Sequence, residues 1–64
     1  MKLRQVEAYQ GASVRVCLVA DDKRLRPGVP VTFKGEEIPW VIGKVYETTV
    51  DHDAVPRGWH VGGL

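Results

Sequence analysis

The longest continuous pattern of apolar and β-branched residues covers positions 29–50. Residues 29–33 form a first arm, residues 38–50 form a second arm, and the polar residues 34–37 with one glycine separate them. β-Branched and aromatic side chains favour strands, and a polar segment with glycine between two such runs is typical of a hairpin. The pattern therefore predicts two antiparallel strands joined by a tight turn.

The second arm is too long to be one straight strand of a small domain. Its thirteen residues would extend about 43 Å at roughly 3.3 Å per residue, more than twice the usual strand length. Gly43 lies near its middle, where the missing Cβ atom permits a bulge or a sharp bend. Both faces are apolar before this glycine, so we expect either a bulge that exchanges the faces or an apolar face that meets a partner.

Two earlier segments have the periodicity of shorter strands. Residues 2–9 favour a strand over a helix, because only about two helical turns would fit and no capping residue precedes them. In residues 14–20 the alternation predicts that Arg15 points into solvent and that Cys17 and Val19 lie under a loop or at an interface. The expected core face of this strand consists of Val14, Val16, Leu18 and Ala20.

Turn-forming residues separate the remaining segments. A charged loop at residues 21–28 ends in Pro27 and Gly28, whose fixed and permissive φ angles suit the two central positions of a type II turn. Residues 51–58 have the polar, proline and glycine content of a loop or a single helical turn. Residues 59–61 are long enough for a closing strand.

These elements predict one all-β domain over residues 1–64, with about five short antiparallel strands in a small, partly closed barrel. An SH3-like barrel is the first choice, and an OB-like barrel or an open meander is the second. A domain this small has a thin margin of stability, so we expect nearly all of its large apolar side chains in the core. The expected core comprises Val14, Val16, Leu18, Val31, Phe33, Val41, Val45 and one or both tryptophans.

The composition is that of a folded globular domain. Hydrophobic residues make up 44% and charged residues 27% of the chain, which argues against disorder. The single cysteine, Cys17, excludes an intramolecular disulfide, and neither an apolar leader nor a run of membrane-spanning length is found. We therefore expect a cytoplasmic protein without membrane contact, with a homodimer as an open alternative because small domains often bury exposed strand edges.

An aromatic strand face is the first candidate for function. Such a face, if exposed, would hold a peptide or stacked bases, with Lys44 as a cationic neighbour. We predict a non-enzymatic binding module that acts through protein-protein contacts with a partner of unknown identity. The alternative is that these rings fill the core, since Trp and Tyr are mostly buried. The predicted binding residues are Trp40, Ile42, Lys44, Tyr46 and Trp59.

A basic loop suggests a different function, a small nucleic-acid-binding barrel. The net charge is only +1, but basic residues outnumber acidic ones through Gly28 and acidic residues outnumber basic ones after it. Neighbouring cations would neutralise phosphates, and such binding weakens steeply with salt. A solvated loop is the ordinary interpretation, because no complete base-reading motif is present. The residues of this alternative are Arg15, Lys23, Arg24 and Arg26.

Few residues have catalytic or metal-binding chemistry. Asp51, His52, Asp53 and His60 supply suitable ligand atoms. Adjacent residues of one short loop seldom converge on an ion without a further ligand, however. Cys17 has no neighbouring base in the sequence and no helix N-terminus to lower the pKa of its thiol. We therefore expect no metal site, no cofactor and no enzymatic activity.

Overall fold

Five strands and one short 3-10 turn make up the regular structure. The computed structural model describes all 64 residues. The prediction of an all-β domain with about five strands in a partly closed barrel is confirmed. The elements are β1 (Lys2–Gln10), β2 (Ser13–Ala20), β3 (Pro30–Val31), β4 (Trp40–Asp51), a 3-10 turn (His52–Ala54) and β5 (Val61–Gly62).

The strands form one sheet that curls into a nearly closed barrel. Their order is β3-β4-β1-β2-β5. Thr32 and Gly63 close the remaining gap, because they exchange two backbone hydrogen bonds of 2.8 Å. Both an SH3-like and an OB-like barrel fit this strand count.

One strand pair departs from the predicted antiparallel arrangement. β5 runs parallel to β2, while the other neighbouring strands are antiparallel. The expectation of purely antiparallel strands is therefore wrong for β5. A parallel pair needs a crossover connection, and here the chain passes through β3 and β4 before it returns to β2.

Two turns have the geometry that their residues favour. Gly11 has a φ of 59° at the first central position of the two-residue β1–β2 turn, which is the type II′ arrangement that suits a twisted hairpin. The predicted type II turn is also confirmed. Gly28 has a φ of 97° after Pro27, and the Val29 N–H donates to the Arg26 carbonyl at 3.3 Å.

The bulge predicted at Gly43 is present in β4. This glycine is an extra residue between two adjacent pairs of the β1–β4 ladder. Ile42 before the bulge and Val45 after it both pack toward the core, a spacing that requires the faces of the strand to exchange at Gly43. A second register shift, between Arg4 and Val6 of β1, adds to the curvature of the sheet.

The core lies inside the barrel and draws on four strands and the loop after β3. Leu25, Val29 and Val45 pack against it from the edges, and Leu3 and Leu18 are buried outside it. The central cluster consists of Val6, Ala8, Cys17, Val19, Val31, Phe33, Trp40 and Ile42.

In the first half of β2, the face that was expected to fill the core points outward. Cys17 and Val19 are fully buried, while Val14 and Val16 are 55% and 42% exposed. Arg15 lies on the same face as Cys17, and its side chain is only 20% exposed. The expectation that Arg15 points into solvent is therefore also wrong. The cause is the position of Arg15 at the end of the barrel, where its long side chain reaches aromatic rings and a carboxylate.

Val41 is a further correction to the predicted core. It is exposed because Trp40 and Ile42, its neighbours in β4, occupy the inward positions. Trp59 also stays at the surface, so only one of the two tryptophans belongs to the core.

Candidate functional site

Two of the predicted binding residues lie in the core. Trp40 is 5% exposed and Ile42 is 1% exposed. The Trp40 ring packs edge-on against Phe33, with ring centroids 6.2 Å apart. The prediction that Trp40 and Ile42 contact a partner is therefore wrong, because the small interior needs both side chains.

Arg15 covers the end of the barrel beside Trp40. Its guanidinium carbon lies 4.2 Å from the centroid of the Trp40 ring and 4.8 Å from that of Phe33. Arg15 Nη1 donates to Glu36 Oε2 at 2.8 Å, and Trp40 Nε1 donates to Glu36 Oε1 at 3.0 Å. The hydrogen bond from Arg15 has the largest effect in lowering the pKa of Glu36, and the hydrogen bond from Trp40 lowers it further. We call Arg15, Phe33, Glu36 and Trp40 the inner cluster.

A second cluster of the same composition lies on the outer face of β1 and β4. The Tyr46 hydroxyl donates to Glu7 Oε2 at 3.1 Å, and the Tyr9 hydroxyl donates to Glu7 Oε1. Lys44 Nζ lies 4.8 Å from the centroid of the Tyr46 ring. The hydrogen bond from Tyr9, followed by that from Tyr46, lowers the pKa of Glu7, and Glu7 raises the pKa of both tyrosines. We call Glu7, Tyr9, Lys44 and Tyr46 the outer cluster.

The structure thus brings together Lys44 and Tyr46 of the predicted site and adds Glu7 and Tyr9. The bulge explains the position of Tyr9, whose ring lies against the backbone of Gly43. A Cβ atom at Gly43 would overlap the Tyr9 ring at Cε1 and Cδ1, so any other residue there would displace the ring. The sequence alone does not place Tyr9 in this cluster, because its position depends on the β1–β4 pairing.

Exposed apolar side chains extend from Tyr9 across three adjacent strands. The ladder places Tyr9 opposite Val41 of β4 and opposite Val14 of β2. These residues are 39%, 46% and 55% exposed, in that order, and Val16 is 42% exposed one rung further along β2. Because directly opposite side chains lie about 5 Å apart, the row is contiguous. We call Tyr9, Val14, Val16 and Val41 the outer apolar surface.

β2 presents an open backbone edge beside this surface. Along an antiparallel strand the N–H and C=O groups of alternate residues point to the same side. Leu18 donates away from β1, to the His60 carbonyl at 3.0 Å, so the groups of Val14 and Val16 also point away from β1. β5 pairs only with Leu18 and Val19. Both N–H and both C=O groups of Val14 and Val16 are therefore free.

Two of the four cations of the predicted nucleic-acid site are already paired with carboxylates. Arg15 belongs to the inner cluster. Arg24 donates to Asp22 from Nε at 3.1 Å and from Nη2 at 3.2 Å. Lys23 and Arg26 are exposed and form no salt bridge.

Trp59 stands apart from the other predicted binding residues. The residue is 38% exposed, and its backbone N–H donates to the Pro56 carbonyl at 3.3 Å in a turn. It makes neither a ring–ring nor a cation–ring contact. Trp59 therefore does not join Lys44 and Tyr46 in one platform.

The histidines and the single cysteine are the remaining residues with metal-binding or nucleophilic chemistry. No three His, Cys, Asp or Glu side chains converge. His52 Nδ1 lies 3.1 Å from an Asp53 carboxylate oxygen, while His60 packs edge-on against Phe33 with a centroid distance of 6.0 Å. Burial raises the pKa of the Cys17 thiol to about 11, which keeps it protonated at neutral pH.

Comparison of the chain with protein families, with curated proteins and with solved structures finds no match. The fold contains no helix of the length and apolar character that crossing a bilayer requires. Function therefore has to be inferred from the surface of the molecule itself.

Proposed function

We propose that this protein is a non-enzymatic binding module that contacts another protein through the outer apolar surface and the adjoining edge of β2. The observation that carries the proposal is the contiguous exposure of Tyr9, Val14, Val16 and Val41 on three adjacent strands. A domain of this size has few apolar side chains to spare from its core. The contiguity of these four residues, rather than their exposure alone, supports an interface.

The outer cluster gives this surface the composition of a protein interface. Such interfaces have an apolar centre with aromatic residues and a polar, solvated rim. Here Val14, Val16 and Val41 supply the centre, Tyr9 joins the centre to the rim, and Glu7 is the nearest charged residue of the rim. Both tyrosine hydroxyls already bond to the same carboxylate, so these side chains lose little freedom on binding.

The distribution of reactive groups supports recognition over catalysis. The single surface depression has a volume of about 320 Å³, and Gln10, Glu36, Glu37 and Ile38 line it. Of these, Glu36 is engaged by Arg15 and Trp40. The one thiol of the chain is buried inside the barrel.

The nucleic-acid alternative has weaker support. Of its four cations, only Lys23 and Arg26 are exposed without a carboxylate partner. The outer cluster contains one negative side chain, Glu7, and one positive side chain, Lys44. A surface of this kind offers no concentrated positive field for phosphates.

The test is affinity capture with wild-type protein and three variants. Val14→Lys and Val41→Lys each place a charge in the outer apolar surface, and Thr48→Lys makes the same change at an exposed polar position of β4. We expect wild type and Thr48→Lys to recover the same protein and the two valine variants to lose it. Binding of the recovered protein, measured by calorimetry, should show a negative heat-capacity change because apolar surface is buried.

Three results would contradict the proposal. The first is equal recovery with all variants, the second is recovery of neither another protein nor a second copy of this chain, and the third is recovery of nucleic acid that salt releases. Circular dichroism of each variant first establishes that the barrel remains folded.

A further inference from the structure

We infer that the partner of this surface is a second copy of the same chain, joined by antiparallel pairing of the two β2 edges. The inference rests on the proposed function, because it names the partner of the same surface. An open strand edge with apolar side chains is a template for pairing with another strand. The edge of β2 has the additional property that it is complementary to itself.

The open part of β2 is short and sharply bounded. The type II′ turn at Gly11 and Ala12 ends it on one side. On the other side β5 begins to pair at Leu18. Only the backbone groups of Val14 and Val16 are open between these limits.

A single symmetric register satisfies all of these groups. With the two-fold axis at Arg15, Val14 of each copy lies opposite Val16 of the other, and both N–H and both C=O groups of each copy find a partner. An axis at Val14 would place Val16 opposite the turn residue Ala12. An axis at Val16 would place Val14 opposite Leu18, which already pairs with β5. The boundaries of the edge therefore determine the register of the dimer.

The side chains favour the same arrangement. On the outer face, the row Val41, Tyr9, Val14 of one copy continues into Val16 of the other, so the two apolar surfaces merge. On the inner face the two Arg15 residues meet at the axis. Each guanidinium is stacked on its own Trp40 and paired with its own Glu36, which neutralises the like charges that meet there. Self-pairing thus buries no unpaired charge.

The unpaired edge of β4 has features that protect it against strand addition. Beyond Ile42, β4 pairs only with β1, so its far side is also free. This edge carries Glu47, Thr48 and Thr49, all exposed, and it is bent by the irregular pairing with β1. Charged residues and bulges discourage strand addition. The β2 edge has no bulge, and its one charged residue, Arg15, is paired with Glu36, so this edge is the one available for pairing.

The test combines sedimentation velocity with amide hydrogen exchange measured by NMR, from micromolar to millimolar protein. In the dimer the Val14 and Val16 amides become bonded, so their exchange should slow about tenfold where nine-tenths of the protein is dimeric. The Arg15 and Cys17 amides are controls, because they point toward β1 in monomer and dimer alike.

Two variants test the register. Val14→Pro removes an N–H that has no intrachain partner, and proline is tolerated on strand edges, so the barrel should fold and stay monomeric. Val16→Lys tests the same contact through the side chain if the proline variant does not fold. Thr48→Lys, on the protected edge, should dimerise like wild type.

The outcomes separate this inference from the proposed function. A concentration-dependent dimer with slowed Val14 and Val16 exchange, absent in the folded β2 variants, supports the inference. A monomer at all concentrations overturns it, as does a dimer that leaves the two amides unprotected or persists in Val14→Pro and Val16→Lys. In these cases, capture of a different protein that Val41→Lys abolishes would leave the proposed function standing. If no other protein is recovered either, both fail.

Discussion

The inner and outer clusters combine the same chemical groups, but the cation and the aromatic rings of the inner cluster are less accessible to water than those of the outer cluster. Each contains a cation beside an aromatic ring and a carboxylate that accepts hydrogen bonds from the cluster. In the inner cluster, Arg15 is stacked on two rings with a side chain only 20% exposed. In the outer cluster, Lys44 is exposed and contacts one ring.

The difference shows how location assigns a role to one set of side chains. Cation–ring and charged hydrogen-bond interactions gain strength where water is excluded and lose most of it where water competes. The inner cluster should therefore stabilise the barrel. The outer cluster should contribute little to stability and leave its groups available to a partner. Four predictions examine this division, from the largest expected effect to the smallest.

Trp40→Ala should have the largest effect. Removal of a buried tryptophan costs about 3 to 5 kcal/mol, a large part of the stability of so small a domain. Trp59→Ala is the matched control, and it should cost less than Trp40→Ala because Trp59 is 38% exposed and Trp40 is 5% exposed. Urea unfolding followed by circular dichroism measures both. Equal losses would show that Trp40 is not the centre of the core.

Arg15→Ala should cost more stability than Lys44→Ala. Loss of the half-buried guanidinium removes stacking on Trp40 and Phe33 and should lower the free energy of unfolding by about 2 kcal/mol. Lys44→Ala should change the free energy of unfolding by no more than about 0.5 kcal/mol, as surface substitutions usually do. Arg15→Lys keeps the charge without the planar group, so it should recover only part of the loss. A full recovery would mean that charge alone matters at the end of the barrel.

Acid should affect the two clusters unequally. Folding lowers the pKa of both Glu36 and Glu7 below their ordinary value of 4.5. A carboxyl of this kind stabilises the fold above its unfolded-state pKa, and the contribution is lost as the pH falls through the folded-state pKa. Stability should therefore decline below pH 4.5.

Two glutamine variants test which cluster causes the loss of stability at acidic pH. Glu36→Gln should weaken the decline more than Glu7→Gln, because Glu36 faces the charge of Arg15 while Glu7 is bonded chiefly by neutral hydroxyls. The measurement is the midpoint of thermal unfolding from neutral to acidic pH. A larger change in Glu7→Gln would reverse the roles of the two clusters.

The smallest effects belong to the tyrosines of the outer cluster. Each hydroxyl lowers the pKa of Glu7, and the bond from Tyr9 has the larger effect. Tyr9→Phe should therefore raise the pKa of Glu7 more than Tyr46→Phe, with little change in stability from either. NMR titration of the Glu7 carboxyl carbon measures the shifts. The opposite order would place Tyr46 as the main partner of Glu7.

The sequence was a good guide where local pattern determines structure. The long β4 strand, the bulge at Gly43 and the type II turn at Pro27 and Gly28 follow from residues within a few positions of each feature. A glycine in the middle of a run with two apolar faces is a local sign that the faces exchange.

The sequence was a poor guide to β2 because its orientation depends on distant partners. The pattern favoured Val14 and Val16 in the core over Arg15, whose charge normally excludes it from that face. Arg15 faces inward because Glu36 and Trp40, more than twenty positions away, meet it at the end of the barrel. No periodicity within β2 contains that information. The outer apolar surface was missed for the same reason, since three of its four residues, Val14, Val16 and Val41, were expected in the core.

Cys17 makes the opening of this barrel directly measurable. The thiol is completely enclosed next to the strand edge inferred to pair, and it is the only cysteine in the chain. A thiol reagent can reach it only after β2 separates from the interior, so the labelling rate reports the frequency of that event without any engineered probe. If the chain dimerises through β2, the same rate should fall as protein concentration rises, because association holds this strand in place.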